Sequence, residues 1–215
     1  MATKRFVIFT GQWEAGKARE DIPKLEPEDF IVCADGGYIL CKSAGIKPEA
    51  VIGDFDSLPE VLIREIESLE IECEKHPREK DETDMMLCVK YGLARGFDRF
   101  IIIGGIGGEF GHTMANLQVL SYLTDMEREA KIVTERETIF MADGSVEFSG
   151  RPGAKFSVLS YTERSTGVYI KNAGYELSDA CLTQSYPVGV SNEFSAEGPV
   201  KVSVRDGRLL IISER

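Results

Sequence analysis

Four short apolar runs, each stopped by a glycine or an aspartate, constrain this chain more than any other feature of its sequence. They are Phe6-Val7-Ile8-Phe9-Thr10 before Gly11, Phe30-Ile31-Val32-Cys33-Ala34 before Asp35-Gly36-Gly37, Val51-Ile52 before Gly53-Asp54, and Phe100-Ile101-Ile102-Ile103 before Gly104-Gly105. Unbroken apolar runs of this length read as buried strands. Helical patterns lie between them. Residues 38–44 are closed by Gly45, with Pro48 soon after, and residues 58–69 carry Leu62, Ile66 and Leu69 at helical spacing. Residues 71–74 read as a short strand, and the helix after it carries Met85, Met86, Val89 and Leu93. A last helix is expected to open near His112-Thr113. Strands alternating with helices predict an α/β half, whose ligands bind at the carboxyl ends of the strands.

From about Lys131 the texture changes. Residues 132–134, 138–141, 146–148, 155–159, 168–170, 200–204 and 209–212 read as short strands separated by Asp143-Gly144, Arg151-Pro152-Gly153 and Asp206-Gly207. Asp206-Gly207 between two alternating runs predicts a hairpin. Short strands at regular spacing argue for an all-β sandwich or barrel. The 215 residues therefore divide into an α/β domain over 1–130 and a β domain over 131–215.

The formal net charge of −11 argues against a general nucleic-acid binder, which needs a basic surface. Five scattered cysteines without a C-x-x-C pair, beside only two histidines, argue against a zinc site. The amino-terminal apolar run is too short for a signal-peptide core, and no stretch reaches the length of a membrane span. A reduced, cytoplasmic protein without a membrane partner is expected.

Gly53-Asp54-Phe55-Asp56-Ser57 holds the densest chemistry. In extended backbone Asp54 and Asp56 would face one volume, with Phe55 turned into the support. Paired carboxylates at a strand end suit Mg²⁺, although Asp, Gly and Ser also make ordinary solvated turns. Lys80-Asp81-Glu82-Thr83-Asp84 leads into a helix, with Asp81 a candidate N-cap and Asp84 at a helix start that receives phosphate. Lys80 supplies a point charge there. The cluster Gly104-Gly105-Ile106-Gly107-Gly108-Glu109-Phe110-Gly111 before His112 has the form of a phosphate-binding turn, but its spacing is not G-x-G-x-x-G. Gln12-Trp13-Glu14-Ala15-Gly16-Lys17 lacks the spacing of a phosphate loop, and Trp13 either stacks on a base or packs.

Taken in order, Ala34-Asp35-Gly36-Gly37, Gly53-Asp54-Phe55-Asp56-Ser57, Lys80-Asp81-Glu82-Thr83-Asp84, Gly107-Gly108 with His112 and Asn116, and Ser191-Asn192-Glu193 resemble the thiamin pyrophosphokinase family. The resemblance implies a Rossmann-like α/β catalytic domain followed by a small β-sandwich. It implies transfer of pyrophosphate from the co-substrate ATP to the hydroxyethyl oxygen of thiamin, leaving AMP. Asp54, Asp56 and Asp84 would hold Mg²⁺, and Asp35 would orient the reacting hydroxyl or accept its proton. Gly36, Lys80, Asp81, Thr83, Gly107, Gly108, His112 and Asn116 would line the nucleotide and phosphate side. Ser191, Asn192 and Glu193 would belong to the thiamin pocket, with Tyr186 or Phe194 as candidate stacking partners. A homodimer with sites shared between subunits is implied as well. Where the family commonly reads Gly-Gly-Arg-x-Asp-His, this chain places Glu109 for the arginine and Gly111 for the aspartate. A related pyrophosphokinase acting on another hydroxylated heterocycle, or a binding module without catalysis, is the alternative.

Overall fold

The computed structural model describes residues 4–13, 22–195 and 198–215. It divides into two compact units, Met1–Glu135 and Arg136–Arg215. Glu14 to Lys17 of the incomplete phosphate loop lie outside the described residues.

The first unit contains β1 (Arg5–Phe9), β2 (Phe30–Ala34), β3 (Ala50–Gly53), β4 (Glu72–Lys75), β5 (Arg99–Ile103) and β6 (Glu129–Val133). These strands lie in the order β6-β5-β1-β2-β3-β4, and every pairing is parallel. Parallel neighbours require long crossovers. Helices α1 (Gly37–Ser43), α2 (Glu60–Ser68), α3 (Asp84–Ala94) and α4 (Phe110–Asp125) fill the connections that follow β2, β3, β4 and β5. Side chains alternate across the sheet. Val7, Phe9, Ile31, Cys33, Val51, Ile101 and Ile103 thus share one buried cluster with Leu40 and Cys41 of α1 and Ile66 of α2. On the other face Phe6 stacks on Phe30 at 5.7 Å and meets Phe100, Tyr91 and Phe97. Burying aromatic and aliphatic side chains of this size contributes roughly 1.5–3 kcal/mol each. The mostly apolar strands and the helices beside them follow from that.

β1 sits between β2 and β5, so the chain fills the sheet on one side of β1 and then crosses to the other. At such a reversal the loops leaving adjacent strands diverge and open a crevice at the carboxyl ends. Of the two glycines after Asp35, Gly37 has a reason of its own. A Cβ there would lie 2.1 Å from the Phe9 carbonyl oxygen, so Gly37 lets α1 start against the end of β1 rather than against a ligand. Helix α4 begins at Phe110, ahead of the His112-Thr113 start expected from the sequence.

The second unit contains β7 (Glu137–Ala142), β8 (Ser145–Phe148), β9 (Lys155–Ser160), β10 (Arg164–Lys171), β11 (Leu177–Thr183), β12 (Asn192–Glu193), β13 (Val200–Ser203) and β14 (Leu209–Glu214). Strands β12-β9-β14-β7 pair antiparallel in that order, as do β11-β10-β13-β8. Phe156, Val158, Leu209 and Ile211 from the first set share one core with Val168, Ile170, Val200 and Val202 from the second. The hairpin expected at Asp206-Gly207 is corrected. β13 pairs with β10 and β8, whereas β14 pairs with β7 and β9, so this turn carries the chain from one sheet to the other. Asp206 bridges Thr166 instead, and Gly207 adopts φ +99° with its absent Cβ directed at the Arg164 carbonyl oxygen. β11 was not anticipated, because it is an irregularly paired strand in which only Leu182 is buried.

Candidate active site

Three carboxylates converge at the carboxyl ends of β2 and β3. Asp35, Asp54 and Asp84 each place an oxygen within 4.8 Å of the others. Asp35 follows β2, and its amide N–H donates to the Ile52 carbonyl at 2.9 Å, fixing it to the neighbouring strand. Its backbone is left-handed, at φ +41°, an uncommon state for a residue with a Cβ. Such strain persists where surrounding structure enforces it and is found at functional sites. Asp35 is buried, and its Oδ1 has no hydrogen-bond partner. Asp54 follows β3, and Asp84 opens α3. Gly53 makes the convergence possible, since a Cβ there would lie 2.9 Å from Asp35 Cβ and 3.2 Å from Asp84 Cγ.

Lys80 reaches into the group, with its Nζ 3.1 Å from Asp84 Oδ1 and 3.8 Å from Asp54 Oδ2. One ammonium against three carboxylates leaves the cluster negative. Burial raises the Asp84 pKa above the ordinary carboxylate value; Lys80 opposes the shift, and the Asp54 and Asp35 charges add to it. A partnerless buried oxygen and three converging carboxylates fit a hard divalent cation, which relieves the repulsion and takes oxygen ligands.

Asp56 stands apart from this group, correcting the argument that placed it with Asp54. Phe55 adopts φ +64°, so the backbone is not extended and the alternation of a strand does not apply. Phe55 is buried as expected, but the exposed Asp56 side chain turns toward Arg78, with Nε 3.4 Å from its Oδ2. The Asp56 amide donates to Asp54 Oδ1 at 3.1 Å, so the turn orients Asp54. Asp35 takes the place that spacing had given to Asp56.

The N-cap of α3 is likewise Thr83 rather than Asp81: Thr83 Oγ1 accepts from the Met86 amide at 3.2 Å. Asp81 is exposed. A cleft of about 500 Å³ contains Asp35, Gly36, Lys80, Thr83 and Asp84, together with His112 and Asn116 from α4. Asn116 is buried and donates to the Gly105 carbonyl at 2.7 Å, bracing the glycine loop. Thr113 Oγ1 accepts from the Gly107 amide at 3.1 Å, while Gly108 sits against Gln12, whose Nε2 is 3.1 Å from its Cβ position. Gly107 and Gly108 thus shape the wall behind Gln12. Glu109 is the N-cap of α4 but makes no side-chain cap; its exposed carboxylate lies 3.8 Å from His112 Nε2. A Cβ at Gly111 would meet open space.

The cleft also takes Thr10 and Gln12 after β1, Ser57, Arg78 and Glu82, none of which the sequence reading singled out as site residues. Glu82 lies within the Lys80–Asp84 motif, and Arg78 lies two residues before it, between β4 and α3. Thr10 and Gln12 follow the strand where the sheet order reverses, a signal visible only once that order is known.

In the second unit Ser191, Asn192 and Glu193 serve different ends. Asn192 is buried, and its amide is engaged at both ends: Nδ2 donates to the Tyr175 carbonyl at 2.7 Å, and Oδ1 accepts from the Tyr175 and Glu193 amides at 2.9 and 2.8 Å. Ser191 and Glu193 are exposed. Phe194 is packed against Phe156 at 4.9 Å and Phe148 at 5.6 Å, which removes it as a stacking surface; Tyr186 is 70% exposed.

Comparison with known proteins gives a consistent result. Residues 24–134 match the family model of the thiamin pyrophosphokinase catalytic domain, and residues 145–209 match that of the thiamin pyrophosphokinase vitamin B1 binding domain. Thiamine pyrophosphokinase of Bacillus subtilis (strain 168) is 25% identical over 185 residues, covering 83% of this chain and 86% of that one. Thiamin pyrophosphokinase 1 of Caenorhabditis elegans is 22% identical, covering 86% and 78%. The crystal structure of the Bacillus subtilis thiamine pyrophosphokinase superposes with a TM-score of 0.86 at 23% identity, covering 98% of this chain and 99% of that one. Thiamin pyrophosphokinase from Candida albicans superposes with a TM-score of 0.82 at 16% identity, covering 99% and 89%. These superpositions speak for the fold, a mixed architecture of strands with few helices. The two family models span most of the chain, and on that ground the chain belongs to the thiamin pyrophosphokinase family.

Proposed function

We propose that this chain is a Mg²⁺-dependent thiamin pyrophosphokinase, transferring the pyrophosphoryl group of ATP to the hydroxyethyl oxygen of thiamin to give thiamin diphosphate and AMP. The observation that carries the reading is the convergence of Asp35, Asp54 and Asp84 with Lys80 in the crevice where the strand order reverses. Asp54 and Asp84 would hold the cation, with Asp35 beside them, and Mg²⁺ bound there would supply positive charge to neutralise the transferring phosphates. Asp35, beside that cation, orients the acceptor hydroxyl and takes its proton. Lys80 keeps the carboxylates close enough to act together and presents an ammonium to phosphate. Thr83 fixes the first turn of α3, whose free amides favour anions. Asn116 and Thr113 hold the glycine loop that borders the nucleotide.

In the same reading the first unit is a Rossmann-like catalytic domain and the second a β-sandwich that receives thiamin. Ser191 and Glu193 offer it polar groups, while Asn192 shapes the loop around Tyr175. A homodimer belongs to the proposal, as does a cytoplasmic setting, which the five free thiols support.

The reading is tested by incubating the purified protein with ATP and Mg²⁺, with and without thiamin, and identifying the products. AMP and thiamin diphosphate formed only when thiamin is present are expected. Transfer to a different hydroxylated heterocycle in preference to thiamin would replace the proposed acceptor, and nucleotide binding without AMP would remove catalysis.

A further inference from the structure

Glu109 stands at the exposed start of α4 and brings negative charge to that end of the glycine loop. A triphosphate entering the cleft still needs cationic partners. Among the described residues that line the cleft, Lys80 and Arg78 are the side chains with a permanent positive charge. Lys80 is taken up by Asp84 and Asp54 and is largely buried. Arg78 is placed differently. It lies between β4 and α3, on the cleft wall, with 82% of its side chain exposed and only a long contact, 3.4 Å from Nε to Asp56 Oδ2.

We infer that Arg78 is a second phosphate-binding cation of this chain, beside Lys80, contacting the β- or γ-phosphate of the bound nucleotide from the segment between β4 and α3. The inference rests on the proposed ATP-dependent reaction. The guanidinium is planar and carries several N–H donors, so it can accept a phosphate by two parallel hydrogen bonds while Asp56 holds its Nε edge. Exposed ion pairs are weak, so leaving or sharing Asp56 costs little when a more highly charged phosphate arrives. The Asp56 carboxylate, outside the three converging carboxylates, holds Arg78 beside the cleft.

The test separates binding from turnover. Calorimetry with the α,β-methylene analogue of ATP, which resists cleavage at the transferred bond, is run in Mg²⁺ on the wild type, Arg78→Gln and Arg78→Lys, with AMP titrated in parallel. Arg78→Gln should bind the analogue about tenfold more weakly, Arg78→Lys should recover part of the loss, and AMP, lacking the β- and γ-phosphates, should bind all three proteins alike. Unchanged affinity of Arg78→Gln for the analogue, or an equal loss for AMP, would overturn the assignment. Arg78 is exposed and its one ion pair lies at the surface, so the substitution leaves the fold intact, which a thermal melt checks. Whether the wild type releases AMP when given thiamin is read separately, so failure of the reaction is not confused with failure of this inference.

Discussion

Asp84 shows how a single residue couples the site to stability. Its pKa is raised by burial first, with the Asp54 and Asp35 charges adding to the effect and Lys80 opposing it. A carboxyl whose pKa is higher in the folded than in the unfolded chain contributes stability that is fully present below its unfolded value. That contribution is lost as pH rises through the folded value. In chelator, Asp84→Asn should therefore be at least as stable as the wild type at pH 7, and its relative advantage should shrink toward pH 4. Thermal melts across this range check it; a wild type that gains on the variant as pH rises would contradict the sign. Much of this site was legible residue by residue, because Asp35 and Asp54 follow strand ends, Asp84 opens a helix, and Lys80 lies in the charged stretch just before it. Asp56 was misplaced because the left-handed Phe55 breaks the alternation that a strand would impose. Arg78 gave no signal of its own, since a lone arginine in a charged stretch reads as solvated surface.

Helix α3 opens at Asp84, and the turn that leads into it brings Lys80 back against that carboxylate. Its start is fixed by Thr83, whose Oγ1 accepts from the Met86 amide, and its interior by Met85, Cys88 and Val89 in the core. Thr83→Ala should cost about 1 kcal/mol of stability, the usual value of such a cap, whereas Asp81→Ala should change stability by no more than a few tenths. Denaturant unfolding of both variants decides between the two N-cap assignments, and the reverse ranking would restore Asp81. The strands and helices of the first unit were readable because each is either an unbroken apolar run or a 3.6-residue pattern. The second unit was readable as strands but not as connections. Asp143-Gly144, Arg151-Pro152-Gly153 and Asp206-Gly207 all look like local turns, yet the strands flanking each belong to different sheets. Turn chemistry fixes a reversal of direction; which sheet receives the chain is decided by the shared core of Phe156, Val168, Val202 and Leu209.

At the scale of the whole molecule, the proposed reaction sets an acidic chain of net charge −11 against a polyanionic substrate. The fold meets this by confining the problem to one crevice. Parallel order places β1, β2 and β3 side by side, so the loops that carry Gln12, Asp35 and Asp54 open in one direction. In the proposed reaction, carboxylates gathered there would become cation ligands, and the cation would screen the phosphates from the rest of the protein. The most direct test is the Mg²⁺ dependence of thiamin-stimulated AMP release in the wild type, Asp54→Asn and Asp84→Asn, each checked for an intact fold by circular dichroism. The account predicts that both variants lose at least about a hundredfold in turnover at a Mg²⁺ concentration that saturates the wild type. Turnover in either variant within about threefold of the wild type at that concentration would contradict it.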